Sequence, residues 1–537
     1  MTRIPPAFTS VYLDYQNYPE SHTSSSILKT TFRGYRERLD QKASRTFSQD
    51  PNDIEISIKE VRRTANGALQ VYKENIFDVA GLKRWLGDMQ QNDLAGPTKP
   101  AGAVATKPDP VSRFIFLISN GSLFPLLLSR DMFLRIMAYH QAFPFYLDFL
   151  LAYGIQEEDR ELRFSGFRSQ VTLINPEPSQ VIPDLKRSGR HFDLCYNLKA
   201  VAPLPKTSIG RELKWKIRQT AIYHRFDLGS GTALWMIADP LSAFKNELAE
   251  VLAADEPLPG DFRFGTLPEA FDSSLKTHLI VCQWASREWR WHLQSLEEKI
   301  DRMTQTLLLY DDEMPYRENI TPRAVTRIQE QEDKVNEAVM AMQSNIKIIR
   351  SMQTFYHGLV HDSDFPQSEQ KECARAVARF RVSLLEIMDS LESQLERAQV
   401  LAKIAADRKN IVLQQLQIQN ALKQESLAAS MWEFSERGQK EAIAMRIVTV
   451  ITLLYLPPTF VSTFFSTDVI KYQDGGEDKV YFSQDALNSF LYVTIPLWVF
   501  TLGIVVLYYR WEARRKSRRP RELVSRYSEI SPQTKTA

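Results

Sequence analysis

The sequence predicts an α/β cytoplasmic domain, a long α-helical stalk and two C-terminal transmembrane helices. Three observations predict it. Residues 447–465 (IVTVITLLYLPPTFVSTFF) and 490–509 (FLYVTIPLWVFTLGIVVLYY) carry no charge, and each is about the length of helix that crosses a ~30 Å hydrocarbon core. Residues 368–446 contain no proline and a single glycine, Gly438. Upstream, short segments alternate apolar and polar residues, as half-buried strands do.

The two apolar runs fix the topology. In lipid every backbone N–H and C=O must be satisfied internally, so each run is expected as a helix. Residues 466–489 between them carry two lysines and five acids, and residues 510–521 carry seven basic residues. The positive-inside rule puts that basic tail in the cytoplasm, and two spans return the N-terminal part to the same side. The basic tail can also meet anionic lipid. A formal net charge of +2 over 537 residues gives no reason to expect a nucleic-acid partner. Cys195, Cys282 and Cys373 lack metal-ligand spacing and fit a reducing compartment. The N-terminal stretch MTRIPPAFTSVYLDYQNYPE lacks the apolar centre of a signal peptide, so the late apolar segments are expected to direct insertion.

In chain order, residues 1–50 are expected as a poorly ordered or loosely docked arm, with some helix over 27–41. Residues 51–265 are expected as the α/β domain. Candidate strands are 54–61, 113–119, 162–173, 191–201, 221–227 and 233–237. Ser129 reads as a helix N-cap with Asp131 in the first turn, opening a helix to 152 that Pro144 kinks. Leu228-Gly229-Ser230-Gly231 reads as a hairpin turn; it lacks the Gly-Lys-Ser/Thr ending of a phosphate loop. Residues 241–253 read as a helix. Residues 266–446 form the stalk region, with long helices expected over 268–310, 323–360 and 368–446. The last would exceed roughly 100 Å if unbroken. Its Leu384, Met388, Leu391, Leu395, Ala398, Ala402 and Ala405 recur at steps of four and three, a coiled-coil seam. That seam can face the chain's own long helices or the same helix in neighbouring copies. The remaining segments are the first span (447–465), a non-cytoplasmic loop (466–489), the second span (490–509) and a basic cytoplasmic tail (510–537).

The first span is the more polar of the two. Thr452, Thr459, Thr463 and Ser466 fall on one side at helical spacing with Ser462 beside them, whereas the second span has Thr494 and Thr501. Such hydroxyls can bond their own i−4 carbonyls, glue helices together, or face water. Pro457 and Pro458 interrupt the hydrogen-bond ladder midway. Two helices cannot enclose a wet path alone, so a pore requires a ring of copies. Hard cations prefer oxygen ligands, and a carboxylate ring at a mouth concentrates them. Asp468 sits where such a ring would form, and Asp474, Glu477, Asp478 and Asp485 make the loop acidic. Enzyme signals are few. His191, Asp193 and Cys195 share one face of a candidate strand, where ordinary packing competes with a metal or nucleophile site. Asp311-Asp312-Glu313 reads as an acidic turn.

A long charged helix running into Tyr455-Leu456-Pro457-Pro458-Thr459-Phe460, then Phe464-Phe465, a loop, a second span and a basic tail, resembles the CorA family of magnesium transporters. More closely, it resembles fungal proteins with a CorA-like transporter domain. RHFDLCYNL (190–198) and AIYHRFD (221–227) are similar to that group's cytoplasmic part. The resemblance covers roughly 368–519, with a more general likeness upstream. It implies a homopentamer, a cytoplasmic α/β domain, a stalk helix and a pore lined by the first span, carrying divalent cations such as Mg²⁺ across a bilayer without a bound cofactor or an enzymatic step. The family signature Gly-Met-Asn at the outer end of the first span is replaced here by Ser466-Thr467-Asp468, so Asp468 stands where the family's asparagine meets hydrated Mg²⁺. An anchored interaction protein that has lost transport is the competing expectation. The sequons Asn120-Gly-Ser122 and Asn319-Ile-Thr321 lie in the part expected to face the cytoplasm, where they would stay unmodified.

Overall fold

Seven segments rich in β-branched and aromatic residues form one mixed sheet: β1 (Ile56–Arg63), β2 (Leu69–Ile76), β3 (Ser112–Ser119), β4 (Phe167–Thr172), β5 (His191–Pro203), β6 (Trp215–Asp227) and β7 (Ala233–Pro240). The computed structural model describes residues 4–22, 26–88, 105–121, 123–155, 163–203, 214–252, 260–308, 321–466 and 484–529. The strand order is β2-β1-β3-β7-β6-β5-β4. β3 and β7 pair in parallel, and the other described pairs are antiparallel. Every residue of β3 and β7 is buried, as expected of strands with both faces covered.

The strand period of two sorts the core into two layers. Ile115 and Leu117 face a layer with α1 (Pro6–Leu13), α2 (Ser26–Thr46), α3 (Val79–Leu86), α4 (Arg130–His140) and α5 (Tyr146–Leu150). Phe114, Phe116 and Ile118 face the opposite layer, which holds α6 (Ala243–Val251), α7 (Leu267–Ser286), α8 (Trp289–Leu308), α9 (Pro322–Val360) and the first part of α10 (Gln367–Ser466). Polar ties pin this second layer. The Asn345 amide on α9 donates to Lys199 O (2.7 Å) and accepts from Lys199 N (3.0 Å), so it extends the ladder of β5. His278 on α7 bonds Tyr196 of β5 at 2.7 Å and Tyr356 of α9 at 2.8 Å. Burial, with His224 beside it, pushes this imidazole well below its ordinary value.

The chain divides into two compact units, Met1–Leu416 and Gln417–Ala537. A division near 265 between α/β domain and stalk does not appear, because α7, α8 and α9 bury their apolar faces on the sheet. Within the arm expected over residues 1–50, the described residues 4–22 and 26–50 are not loose. They fold as α1 and α2, with Phe8, Tyr12 and Tyr18 sealed into the first layer at no more than 1% exposure; burying three aromatic side chains outweighs the weak periodicity of the segment. The helix expected over 268–310 is two, α7 and α8. A capping box of Thr266 and Glu269, with Pro268 in the first turn, opens α7. The helix expected to 152 is also two, since the chain leaves α4 through Gln141 at φ 48°. Ser129 caps α4 by accepting from Met132 N at 3.3 Å. The turn at 228–231 is the β6–β7 hairpin; Asp227 holds it by accepting from the Gly229 and Ser230 N–H groups. β2, an edge strand in which Tyr72, Lys73 and Glu74 are exposed, is the strand the sequence did not suggest.

The seam on α10 is largely internal. Leu384, Met388, Leu391, Ala398 and Ala405 are buried, with Leu395 and Ala402 packed against them. α10 continues in helical conformation through Pro457 and Pro458 to Ser466. The second unit holds its C-terminal part and α11 (Gln484–Glu529).

Candidate functional site

Two places in the chain gather candidate functional residues, and the buried charges of the sheet come first. His191, Asp193 and Cys195 do share one face of β5. Asp193 accepts from Tyr223 Oη (2.7 Å) and from Arg225 Nε (2.7 Å) and Nη2 (3.1 Å). Arg225 Nη1 donates to His140 O (2.7 Å) and Nη2 also to Gln141 O (2.9 Å), so the side chain caps the C-terminal end of α4. Burial raises the Asp193 carboxyl, but Arg225 outweighs it and holds the group well below the carboxylate range. His191 Nε2 stands 3.4 Å from Asp193 without completing a hydrogen bond. Burial, with Asp193 nearby, pushes the Cys195 thiol well up, the opposite of what a nucleophile needs. The adjoining cavity, lined by Asp109, Arg113, His140, Arg187, His191 and Arg225, is about 30 Å³. That is room for a water or two, an order of magnitude below a ligand pocket. Asp193 and Arg225 form an ion-paired strut of the fold, with His191 and Cys195 packed beside it. Among the described residues no three His, Cys, Asp or Glu side chains gather to hold a metal.

Asp239, at the end of β7, shows the reverse balance. It is fully buried and accepts from Lys245 N at 2.7 Å. Burial dominates over the Lys245 and Phe244 N–H groups and pushes its carboxyl up from 3.8 to about 6. A raised native value makes stability present below the ordinary carboxylate range and lost as pH rises through about 6. Unfolding free energies of wild type and Asp239→Asn should therefore diverge by about 3 kcal/mol between pH ~4 and ~7. Parallel pH profiles would contradict this.

The second place is the pair of apolar helices. Gln367–Ser466 and Gln484–Trp511 each contain a stretch long and apolar enough to cross a membrane, and only 11% and 6% of those stretches is buried in the chain. A core helix of a soluble protein would be mostly covered. The hydroxyls of the first span lie on one side and spend their protons on their own backbone. Thr452 points at Val448 O (3.0 Å) and Thr449 O (2.9 Å), Thr459 at Tyr455 O (2.7 Å), Thr463 at Thr459 O (2.8 Å) and Ser466 at Thr463 O (3.2 Å). With the proton directed inward, each oxygen presents lone pairs outward. Thr449, bonded to Met445 O at 2.7 Å, extends the stripe by a turn; its place three residues before Thr452 was the signal.

At about 100° per residue, Leu454, Pro457, Val461 and Phe465 occupy the opposite side. That side meets α11. Val461 is 2% exposed, the Phe465 and Phe490 rings lie 6.5 Å apart, and Trp498 Nε1 donates to Leu454 O at 2.9 Å. The hydroxyl stripe, with Thr452, Thr459, Ser462, Thr463 and Ser466 all exposed, is left uncovered. Thr467, Asp468 and the acids at 474, 477 and 478 lie outside the described residues, as do the 311–313 turn, Ser122 and Asn319.

A family model of CorA-like transporters matches residues 10–308, more than half of the chain. The chain belongs to the CorA-like transporter family. It is thus a transporter-family protein with an α/β sheet domain, a long helix and two candidate membrane helices, and its place is in a membrane. The match falls on the sheet and its first helices, where the sequence showed the more general likeness. The cytoplasmic domain of ZntB from Vibrio parahaemolyticus RIMD 2210633 aligns with 55% of this chain and 89% of its own, at 9% identity and a TM-score of 0.24, too slight a likeness to bear on function. No curated protein matches this CorA-like transporter in sequence.

Proposed function

We propose that this CorA-like transporter is a homo-oligomeric channel for hydrated divalent cations of the Mg²⁺ type. The first span lines its pore, with Thr452, Thr459, Ser462, Thr463 and Ser466 along the path. Ser466, Thr467 and Asp468 form the mouth, and Asp468 is its cation ligand. The observation that carries the proposal is the hydroxyl stripe, turned away from the side that α11 covers. Two helices cannot surround water, so the stripes of several copies must face one another, and a pentamer is the family expectation. Val400, Ile404, Ile411 and Ile418 support self-association. They are 36–56% exposed and recur at steps of four and seven, as a helix seam does. In this reading the α/β body and both termini lie on the cytoplasmic side of the bilayer.

The test is divalent cation flux in proteoliposomes. Wild type should conduct, and Asp468→Ala should lower the flux or change the order of preferred ions. No flux with any divalent ion, or a monodisperse monomer in mild detergent, would refute the proposal. The loss of Gly-Met-Asn favours the second reading, an anchored interaction protein. There, function would follow the α/β body and ignore substitutions at Thr452, Thr459 and Asp468.

A further inference from the structure

Proline at 458 has a consequence in the first span that can be traced to one atom. In an α-helix the N–H of residue 458 would donate to the C=O of Leu454. Proline has no N–H, so that carbonyl loses its helical partner. In hydrocarbon no water can replace the donor, and an unmet carbonyl is costly. The donor comes instead from the other span: Trp498 Nε1 of α11 lies 2.9 Å from Leu454 O. An indole N–H is a donor only, so it suits a carbonyl left without a donor.

We propose that Trp498 supplies the hydrogen bond that Pro458 removes, and that this bond fixes the second span on the first at the proline pair. Trp498 is then a positioning residue. Leu454 lies about 200° around the helix from Thr452, so the bond holds α11 on the side away from the hydroxyl stripe. Val461, and Phe465 against Phe490, continue the same contact toward Ser466. Pro457 has no such remedy through this residue, because the carbonyl it frees, at Leu453, is turned a further ~100° away. The bond depends on the proline and the indole alone, and not on what the chain conducts.

The proposal makes the effect of one substitution depend on another. The full chain is purified as wild type, Trp498→Phe, Pro458→Ala and the double variant, and thermal midpoints are measured in the same detergent. Phenylalanine keeps the aromatic bulk and removes the donor. Alanine at 458 restores the backbone N–H, so Leu454 O no longer needs the indole. Trp498→Phe should lower the midpoint by several degrees when Pro458 is present and far less in the Pro458→Ala background. Equal losses in both backgrounds would mean that the indole only packs, and no loss with Pro458 present would mean that the bond is idle; either overturns the proposal. If Trp498→Phe fails to assemble, recovery on adding Pro458→Ala supports it and no recovery refutes it. The wild-type minus Trp498→Phe ultraviolet resonance Raman difference should show a hydrogen-bonded indole N–H. A free N–H there also overturns it.

Discussion

Arg225→Ala should cost the α/β body on the order of 3–5 kcal/mol of folding free energy. The substitution removes one guanidinium but strands several groups. Asp193, at 1% exposure, loses its cation, and the His140 and Gln141 carbonyls lose their cap. Only the Tyr223 hydroxyl remains bonded to the carboxylate among these contacts. Breaking a buried pair by removing one partner leaves an uncompensated charge, which is why the loss exceeds that of a surface ion pair. Arg225→Lys should restore little, because one ammonium cannot reach Asp193 and two carbonyls in the planar fork that Arg225 spans. Adding Asp193→Asn to Arg225→Ala should recover part of the loss, since it removes the stranded charge. Denaturant unfolding of the four chains measures each step. The pH dependence has a definite sign. Asp193 is held low in the native state, so its contribution is present above the ordinary carboxylate range and lost as pH falls through the native value. The gap between wild type and Arg225→Ala should narrow in acid.

Thr459→Val should cut divalent cation flux by about ten- to a hundred-fold while leaving the thermal midpoint nearly unchanged. Valine keeps the β-branched shape and the helix-compatible rotamer. It removes only the oxygen that bonds Tyr455 O at 2.7 Å and faces the uncovered side of the span. Contacts to a charged group are worth roughly 1.5–3 kcal/mol, and in a ring of copies the substitution removes every such oxygen at that level. Thr501→Val is the control. That hydroxyl belongs to the second span, points at Trp498 O at 3.0 Å, and should not affect flux. Equal effects at the two positions would count against a pore lined by the first span.

Much of this architecture was legible in the chain. The alternation of β5 and β6 placed those strands, because buried sheet positions of period two leave a direct mark. The seam at Leu384–Ala405 was legible from its alternating steps of four and three, though its internal packing was not; spacing gives a face and not the surface that covers it. Other features left little trace. Phe8, Tyr12 and Tyr18 bury themselves by reaching across the first layer, and such tertiary contacts have no local period. The break between α7 and α8 at Arg287 and Glu288 has neither glycine nor proline to announce it. The hydroxyl stripe could be read from a spacing of seven, four and three, but the side that α11 occupies could not. That depends on a bond between residues 44 apart, Leu454 and Trp498. The family likeness shifted too: Tyr455–Phe460 suggested it most strongly, whereas the family match lies over residues 10–308.

The inward-directed hydroxyls of the first span bear on a different current. A side chain that relays protons must give and take them in turn, swinging between donor and acceptor. Thr452, Thr459, Thr463 and Ser466 have their protons engaged by backbone carbonyls, so the row accepts and does not donate. A path built from such oxygens would offer dissolved cations a row of acceptors and no side-chain relay for protons.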